Sequence, residues 1–281
     1  MSPFERTARN TWAVDSPAVG TGLQARPCGD PLRPAEPPGT AEPVALALSG
    51  GGFRATLSAL GFVRLLADAG LLSGLRCASS VSGGSITNNF LATAWPSLRE
   101  RGFASAAVDE LVVEPTLERV SFRSLKGELL RGLWRTLGPV SRTGLLARRL
   151  DEWFFQGTEL EHLDPEVRWI LSAANLTTGA RFTFERDLFG DYTIGLAPTA
   201  DTGVRLSLAV AASAAVPGAF PPVVLNRAYF PCATHAPALL EGARTTTPAL
   251  RPSMVNATAT PSCSSSTPAV CYARVCTAAF L

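Results

Sequence analysis

Short apolar runs that end at glycines organise the first half of the chain. Residues 44–48 are apolar and precede three glycines, and residues 75–81 form a second strand-like run before a glycine pair. Apolar residues then recur at helical spacing over 54–69 and again over 86–96. The pattern therefore predicts two successive strand–glycine–helix units.

Two such units in succession imply parallel strands, with both glycine turns at the carboxyl edge of one sheet. Later segments fit the same α/β class. We expect helices within 104–163, strands at 167–174 and 181–185, and a helix over 206–215. The chain is long enough to bury one substantial core.

The second glycine turn carries a serine, Ser82. A serine on a sharp strand-to-helix turn has its oxygen displaced from the sheet, and small neighbours make such a turn possible. The amides at the start of the following helix favour negative charge nearby. The glycines of the first turn add further free amides, which is what an oxyanion requires. The predicted site is a Ser82 nucleophile with an oxyanion hole made by Gly50, Gly51, Gly52 and Gly83.

A dinucleotide-binding turn is the alternative interpretation of the first glycine cluster. Gly50, Gly52 and Ala55, with Asp68 further on, loosely fit that fingerprint. A phosphate-binding P-loop does not fit, because no Gly-Lys-Ser/Thr follows. The second turn discriminates, since a serine hydrolase requires it and a dinucleotide site does not.

Four motifs resemble those of the patatin-like phospholipases. Ser-Gly-Gly-Gly-Phe-Arg at 49–54 resembles their glycine-rich oxyanion motif, and Val-Ser-Gly-Gly-Ser at 81–85 resembles their nucleophile elbow. The turn at 175–179 and the Ala-Ser-x-Ala-x-Pro…Phe-Pro-Pro signature at 212–222 follow in the family's order. The resemblance covers about 43–230. It implies a three-layer α/β sandwich with a mainly parallel central sheet and a helical cap insertion.

The same resemblance implies a lipid acyl hydrolase. Ser82 would attack an ester carbonyl, Arg54 would lie beside the oxyanion loop, and Ser213 would be a small packing residue near the site. Neither a cofactor nor a metal is expected. The implied substrate is a phospholipid or another lipid ester at a membrane surface.

The catalytic aspartate of that family has no counterpart here. The resemblance implies a serine–aspartate dyad, with the aspartate in an Asp-Gly-Gly motif after Phe-Pro-Pro, because a serine hydroxyl needs a base. No aspartate follows Asp201, and beyond Tyr229 the only carboxylate is Glu241, before Gly242. The longer glutamate side chain would shift the base. The base is thus left open with Glu241 as a candidate, and an inactive lipid-binding or interaction module is the second hypothesis.

The two ends of the chain differ from its middle. Residues 1–42 are rich in proline and predict a disordered arm. Residues 231–281 are rich in Thr, Pro, Ala and Ser, show no clear strand periodicity, and predict an incomplete C-terminal end. We hypothesise a shifted reading frame, since GC-rich codons for 262–269 would read in another frame as an apolar strand ending in Asp-Ala-Gly-Gly. The coding DNA tests this.

The composition limits which cellular compartments and binding partners are expected. The formal net charge is +2 and charged residues make up 17 %, which gives no electrostatic case for nucleic acid. No apolar run reaches membrane-spanning length and no signal-peptide pattern begins the chain. We expect a cytoplasmic protein with free thiols and peripheral membrane contact.

Apolar residues and arginines alternate over 123–149, which fits either a core-facing helix or a surface for anionic lipid. Neither His162 nor His235 has partners at metal-site spacing.

Overall fold

The computed structural model describes residues 43–122, 141–230, 232–242 and 274–278. The predictions made for the 1–42 arm, for residues 123–140 of the basic stretch over 123–149 and for 262–269 lie outside these residues. The frame-shift hypothesis and the proposed domain boundaries therefore stay predictions.

A nine-stranded mixed sheet forms the centre of the described structure, in the order β6-β5-β4-β3-β2-β1-β9, with β7 and β8 attached through β3. Strands β9, β1, β2 and β3 are parallel, whereas β3 to β6 and the β7–β8 pair are antiparallel. The strands are β1 Val44–Leu48, β2 Leu75–Val81, β3 Arg168–Asn175, β4 Arg181–Phe184, β5 Leu188–Asp191, β6 Gly195–Pro198, β7 Val223–Val224, β8 Ala238–Glu241 and β9 Arg274–Ala278.

Helices follow the strands where the apolar spacing predicts them. The α-helices are α1 Gly52–Asp68, α2 Gly83–Glu100, α3 Ser105–Val108, α4 Glu114–Phe122, α5 Arg142–Leu150 and α6 Leu206–Ala214. Shorter 3₁₀ and π turns are Leu72–Gly74, Asp109–Val113, Asp151–Phe155, Leu160–His162 and Arg227–Tyr229. The predicted α/β class with parallel central strands is confirmed.

Helix α2 differs from the sequence expectation at both ends. It begins at Gly83 rather than near Ile86, and it continues through Pro96 to Glu100. A proline inside a helix removes one hydrogen bond. Trp95 and Leu98, on either side of it, are fully buried, and we attribute the continuation to their burial because packing outweighs a single lost bond.

Burial differs between the two faces of the central strands. In β1, Val44, Leu46 and Leu48 are buried, whereas Ala45 and Ala47 are only half-buried. Helix α2 packs on β2, α1 packs on α2, and α6 packs on β3 and β8. The buried residues of β1 lie on the face that α2 covers, because Leu48 pairs with Ser80, whose hydroxyl contacts Asn88 of α2.

Two strands, β8 and β9, come from the tail in which the sequence showed no strand periodicity. Strand β9 pairs in parallel with β1. Strand β8 pairs with the far end of β3. Cys232 is disulfide-bonded, which corrects the expectation of free thiols at that position, while Cys77 is free.

Candidate active site

Ser82 lies at a sharp turn between β2 and α2. Its backbone angles are φ 53° and ψ −123°, and it is the N-cap of α2. A non-glycine residue with positive φ outside the usual regions stores about 1–3 kcal/mol of strain, and such residues cluster at functional sites. The backbone of the turn that joins β2 to α2 is therefore strained at Ser82.

The surroundings of Ser82 are more enclosed than the sequence suggested. We expected a hydroxyl displaced from the sheet, yet the residue is only 3 % exposed. The first two turns of α2 are buried throughout, while Gly51 and Gly52 above them are exposed. The Ser82 hydroxyl has no hydrogen-bond partner among the residues that the structure describes.

The two glycine turns are in direct contact. A Cβ atom placed on Gly83 would lie 2.0 Å from the carbonyl oxygen of Gly52, and one placed on Gly84 would lie 2.7 Å from that of Ser49. Real Cβ contacts are never this short, so both positions require glycine for this backbone approach. The predicted oxyanion loop and the predicted elbow therefore pack together.

Two threonines join the helices that leave these turns. Thr56 Oγ1 on α1 donates to the carbonyl oxygen of Gly83 at 2.8 Å, and Thr87 Oγ1 on α2 donates to that of Thr56 at 2.9 Å. The N-termini of α1 and α2 consequently meet beside Ser82. Each leaves N–H groups without intrahelical partners and carries partial positive charge, so the site favours an anion. Sequence reasoning missed both threonines, because nothing in their spacing distinguishes them from ordinary helix residues.

Ser213 anchors the backbone of the turn. The Ser82 N–H donates to Ser213 Oγ at 2.8 Å, and Ser213 Oγ donates to the Ser172 carbonyl oxygen at 2.7 Å. A hydroxyl has a single proton, so at the 3.0 Å contact Ser85 Oγ must donate to Ser213 Oγ. The Ser82 amide is thereby occupied by the Ser213 hydroxyl.

Glu241 lies head-on to the end of β2. Strand β4 pairs with one edge of β3, so β8 must pair with the other edge, which β2 also uses. Strand β8 runs antiparallel to β2 and approaches its end. Ala173 of β3 faces Glu241, and the preceding residue of β3 faces Val81. Along the strand direction, Glu241 and Val81 are therefore separated by about one residue repeat, roughly 3.3 Å. A Cβ on Gly242 would lie 3.2 Å from Val81 Cγ2.

The Glu241 side chain is on the face of the sheet where α2 begins. Side chains of paired residues share a face and alternate along a strand, so Glu241 is on the face of Ser80. Asn88 of α2 donates to Ser80 Oγ at 2.9 Å. Glu241 is 9 % exposed, and its carboxylate has no hydrogen-bond or ion-pair partner in the described ranges.

Other predicted or alternative residues lie around this centre. Arg54 is exposed in the first turn of α1, just after the first glycine turn. Asp68, which the dinucleotide interpretation needs near the ribose, is at the far end of α1, where it pairs with Arg64 and accepts from Ser105. Cys77 is on β2, and burial raises the pKa of its thiol, so it is a poor nucleophile.

Within the described residues, one group of side chains that could ligate a metal lies away from Ser82. Ligand atoms of Glu159, Glu161 and His162 lie within 4.8 Å of one another, a grouping the sequence analysis did not anticipate for His162. Glu159 forms an isolated antiparallel β-bridge with Arg205, the residue just before α6. At the other end of α6, the Ala215 carbonyl oxygen accepts a hydrogen bond from the Glu241 amide. The cluster is therefore at the opposite edge from Ser82.

Solved structures with related folds have low similarity to this chain. Human GIVD cytosolic phospholipase A2, in complex with methyl gamma-linolenyl fluorophosphonate, matches with 18 % identity and a TM-score of 0.45, over 62 % of this chain and 29 % of that chain. VipD from Legionella pneumophila matches with 15 % identity and a TM-score of 0.39, over 73 % and 46 %. The ExoU–SpcU complex of Pseudomonas aeruginosa matches with 17 % identity and a TM-score of 0.25, over 63 % and 37 %.

Sequence comparison is more decisive. No curated protein matches the chain. The sequence profile described as patatin-like phospholipase matches residues 46–247, well over half of the chain and including both glycine turns, Ser213 and Glu241. The chain belongs to the patatin-like phospholipase family.

Proposed function

We propose that this protein is a lipid acyl hydrolase in which Ser82 is the nucleophile. The observation that carries the proposal is the contact between the two glycine turns, which brings two helix N-termini to a strained serine. Amides of Gly50, Gly51, Gly52 and Gly83 would hold the oxyanion of the tetrahedral intermediate. Preorganised donors of this kind are a large electrostatic contribution to acyl transfer.

The reaction has two steps. Ser82 Oγ attacks the ester carbonyl carbon while its proton passes to a carboxylate, and the resulting carboxylic acid protonates the departing alcohol. Water then attacks the acyl-enzyme, its proton passes to the same carboxylate, and the freed acid leaves with the Ser82 proton restored. No cofactor or metal is required by these steps.

Glu241 is the base that we propose. Its head-on position to β2, its burial and its unpaired carboxylate support this role. The longer side chain of glutamate is tolerable here because β8 brings the backbone of Glu241 next to the turn itself. The proposal differs from the serine–aspartate dyad that the family resemblance implied.

Substituting Glu241→Gln is expected to lower kcat by about 10²–10⁴-fold, the usual contribution of a general base, because the amide cannot accept the Ser82 proton. The side chain keeps its size, so the unfolding midpoint in urea should change little. Glu118→Gln, at an exposed glutamate of α4, is the control for a lost carboxylate. Unchanged kcat in Glu241→Gln would remove Glu241 from the mechanism.

Hydrolysis of a short-chain nitrophenyl ester by the full chain tests the proposed function. We expect saturable turnover, and mixed micelles of phospholipid should release fatty acid. A folded protein that hydrolyses neither substrate would contradict the proposal.

The second candidate function is an inactive lipid-binding or interaction module. Two observations favour it: Ser82 is almost fully enclosed, and the sequence has no aspartate after Asp201. This module would bind lipid vesicles without releasing fatty acid, and the ester assay distinguishes it from the hydrolase.

A further inference from the structure

Three turns at the carboxyl edge of the sheet carry exposed apolar side chains. Leu176 follows β3, Tyr192 follows β5, and Val216 follows α6, and they are 36–64 % exposed. Asn175 Nδ2 donates to Asp191 Oδ2 at 2.8 Å, which fixes the ends of β3 and β5 at one edge. The Ala215 carbonyl accepts from the Glu241 amide and brings the end of α6 to the same edge.

Leu57 extends this surface on the first helix. It is exposed on α1, one turn after the glycine loop at the same edge. We call Leu57, Leu176, Tyr192 and Val216 the apolar rim. Large apolar side chains grouped around a site mark an interaction surface more than scattered ones do.

Two exposed arginines lie beside the rim. Arg54 is exposed one turn before Leu57, and Arg142 is exposed at the start of α5, whose Thr143 hydroxyl donates to the Pro221 carbonyl beside the Val216 turn. Neither arginine forms an ion pair with any described residue.

The paired acidic residues lie elsewhere. Asp164 and Glu166 bind Arg99 at the end of α2, and Glu185 binds Arg168 at the start of β3. Both groups mark the opposite edge of the sheet. The acidic residues named here are therefore neutralised by arginines at their own edge, whereas Arg54 and Arg142 beside the rim have no such partner among the described residues.

We propose that the apolar rim is the surface by which the protein docks on an anionic phospholipid bilayer. The three turns and Leu57 enter the interface while Arg54 and Arg142 meet the negative headgroups. The orientation would place the exposed Gly51 and Gly52 loop toward the lipid. The choice of a phospholipid bilayer as the partner rests on the proposed function, because the bilayer would supply the lipid substrate.

Docking is measured by co-sedimentation with phosphatidylcholine vesicles, with or without phosphatidylglycerol, using Ser82→Ala so that no lipid is consumed. Leu176→Ser/Tyr192→Ser is expected to weaken binding to the anionic vesicles by about tenfold or more. The control is Leu65→Ser/Leu71→Ser, which removes two other exposed leucines, one in the last turn of α1 and one just after it. Binding should decrease as salt rises and should be weaker on pure phosphatidylcholine.

The same substitutions in the Ser82-intact chain should leave short-chain ester hydrolysis unchanged, which separates docking from catalysis. Three results would overturn the proposal: no vesicle binding by the parent, equal loss in both pairs, or a dimer in sedimentation velocity that Leu176→Ser/Tyr192→Ser dissociates. The last result would assign the rim to a second copy of the chain.

Discussion

Ser82→Ala is expected to reduce ester turnover by about 10³-fold or more, because the acyl group then has no oxygen to accept it. The loss should appear in kcat, since the oxyanion amides of Gly83 and the first glycine turn remain to bind the substrate. Alanine at this position keeps the backbone and its hydrogen bond to Ser213. The unfolding midpoint should therefore stay close to that of the parent.

Ser79→Ala is the matched control for this substitution. Ser79 is three residues away on β2, but its side chain points to the other face, where its hydroxyl is 3.4 Å from Arg181. Turnover comparable to the parent is expected for Ser79→Ala. Turnover retained in Ser82→Ala would exclude Ser82 as the nucleophile.

Gly83→Ala is expected to abolish turnover and to lower the free energy of unfolding by about 3 kcal/mol or more. The new methyl group would lie 2.0 Å from the Gly52 carbonyl oxygen. Neither the methyl group nor this backbone oxygen can rotate away from the contact. The two turns must separate, and the oxyanion donors would move with them. Urea unfolding and the ester assay measure the two effects.

Gly61→Ala provides the control for adding a methyl group. Gly61 is inside α1 with nothing within 4 Å of its Cβ position, so alanine should leave activity intact and stabilise the helix by up to about 1 kcal/mol. If Gly83→Ala behaved like Gly61→Ala in both assays, the contact between the glycine turns would be irrelevant to the site.

The elements around the first two turns were predictable from local patterns. Strands β1 and β2 begin and end where the apolar runs do, because glycines end each run. The helix at 206–215 is found as α6 with one residue fewer, and it is almost entirely buried. In these segments one physical signal, burial of a continuous apolar stretch, determines the structure.

The sequence could not reveal elements that depend on distant partners. Strand β8 contains only four residues in a tail rich in threonine and proline, and it is defined by pairing with β3 and β7 rather than by its own periodicity. The placement of Glu241 at the end of β2 follows from that pairing. The antiparallel flank beyond β3 is likewise a property of tertiary pairing.

The candidate active site likewise combines features that local sequence predicts with features that depend on distant residues. The serine turn and the glycine loop are local features that the motifs predicted. The hydrogen bonds of Thr56, Thr87 and Ser213 join segments up to 131 residues apart, and no single segment signals them. The predicted packing role of Ser213 is therefore incomplete, since its hydroxyl also holds the Ser82 amide.

The part of the chain that the structure describes contains no helix long and apolar enough to cross a membrane.

Covalent labelling with an alkyl fluorophosphonate tests the central claim most directly, because this reagent reacts with activated serine hydroxyls. Peptide mass spectrometry of the folded chain should find one phosphonyl group, on Ser82, and none in Ser82→Ala. A folded chain that stays unlabelled, or that carries the adduct on another serine while Ser82 is unmodified, would contradict the claim.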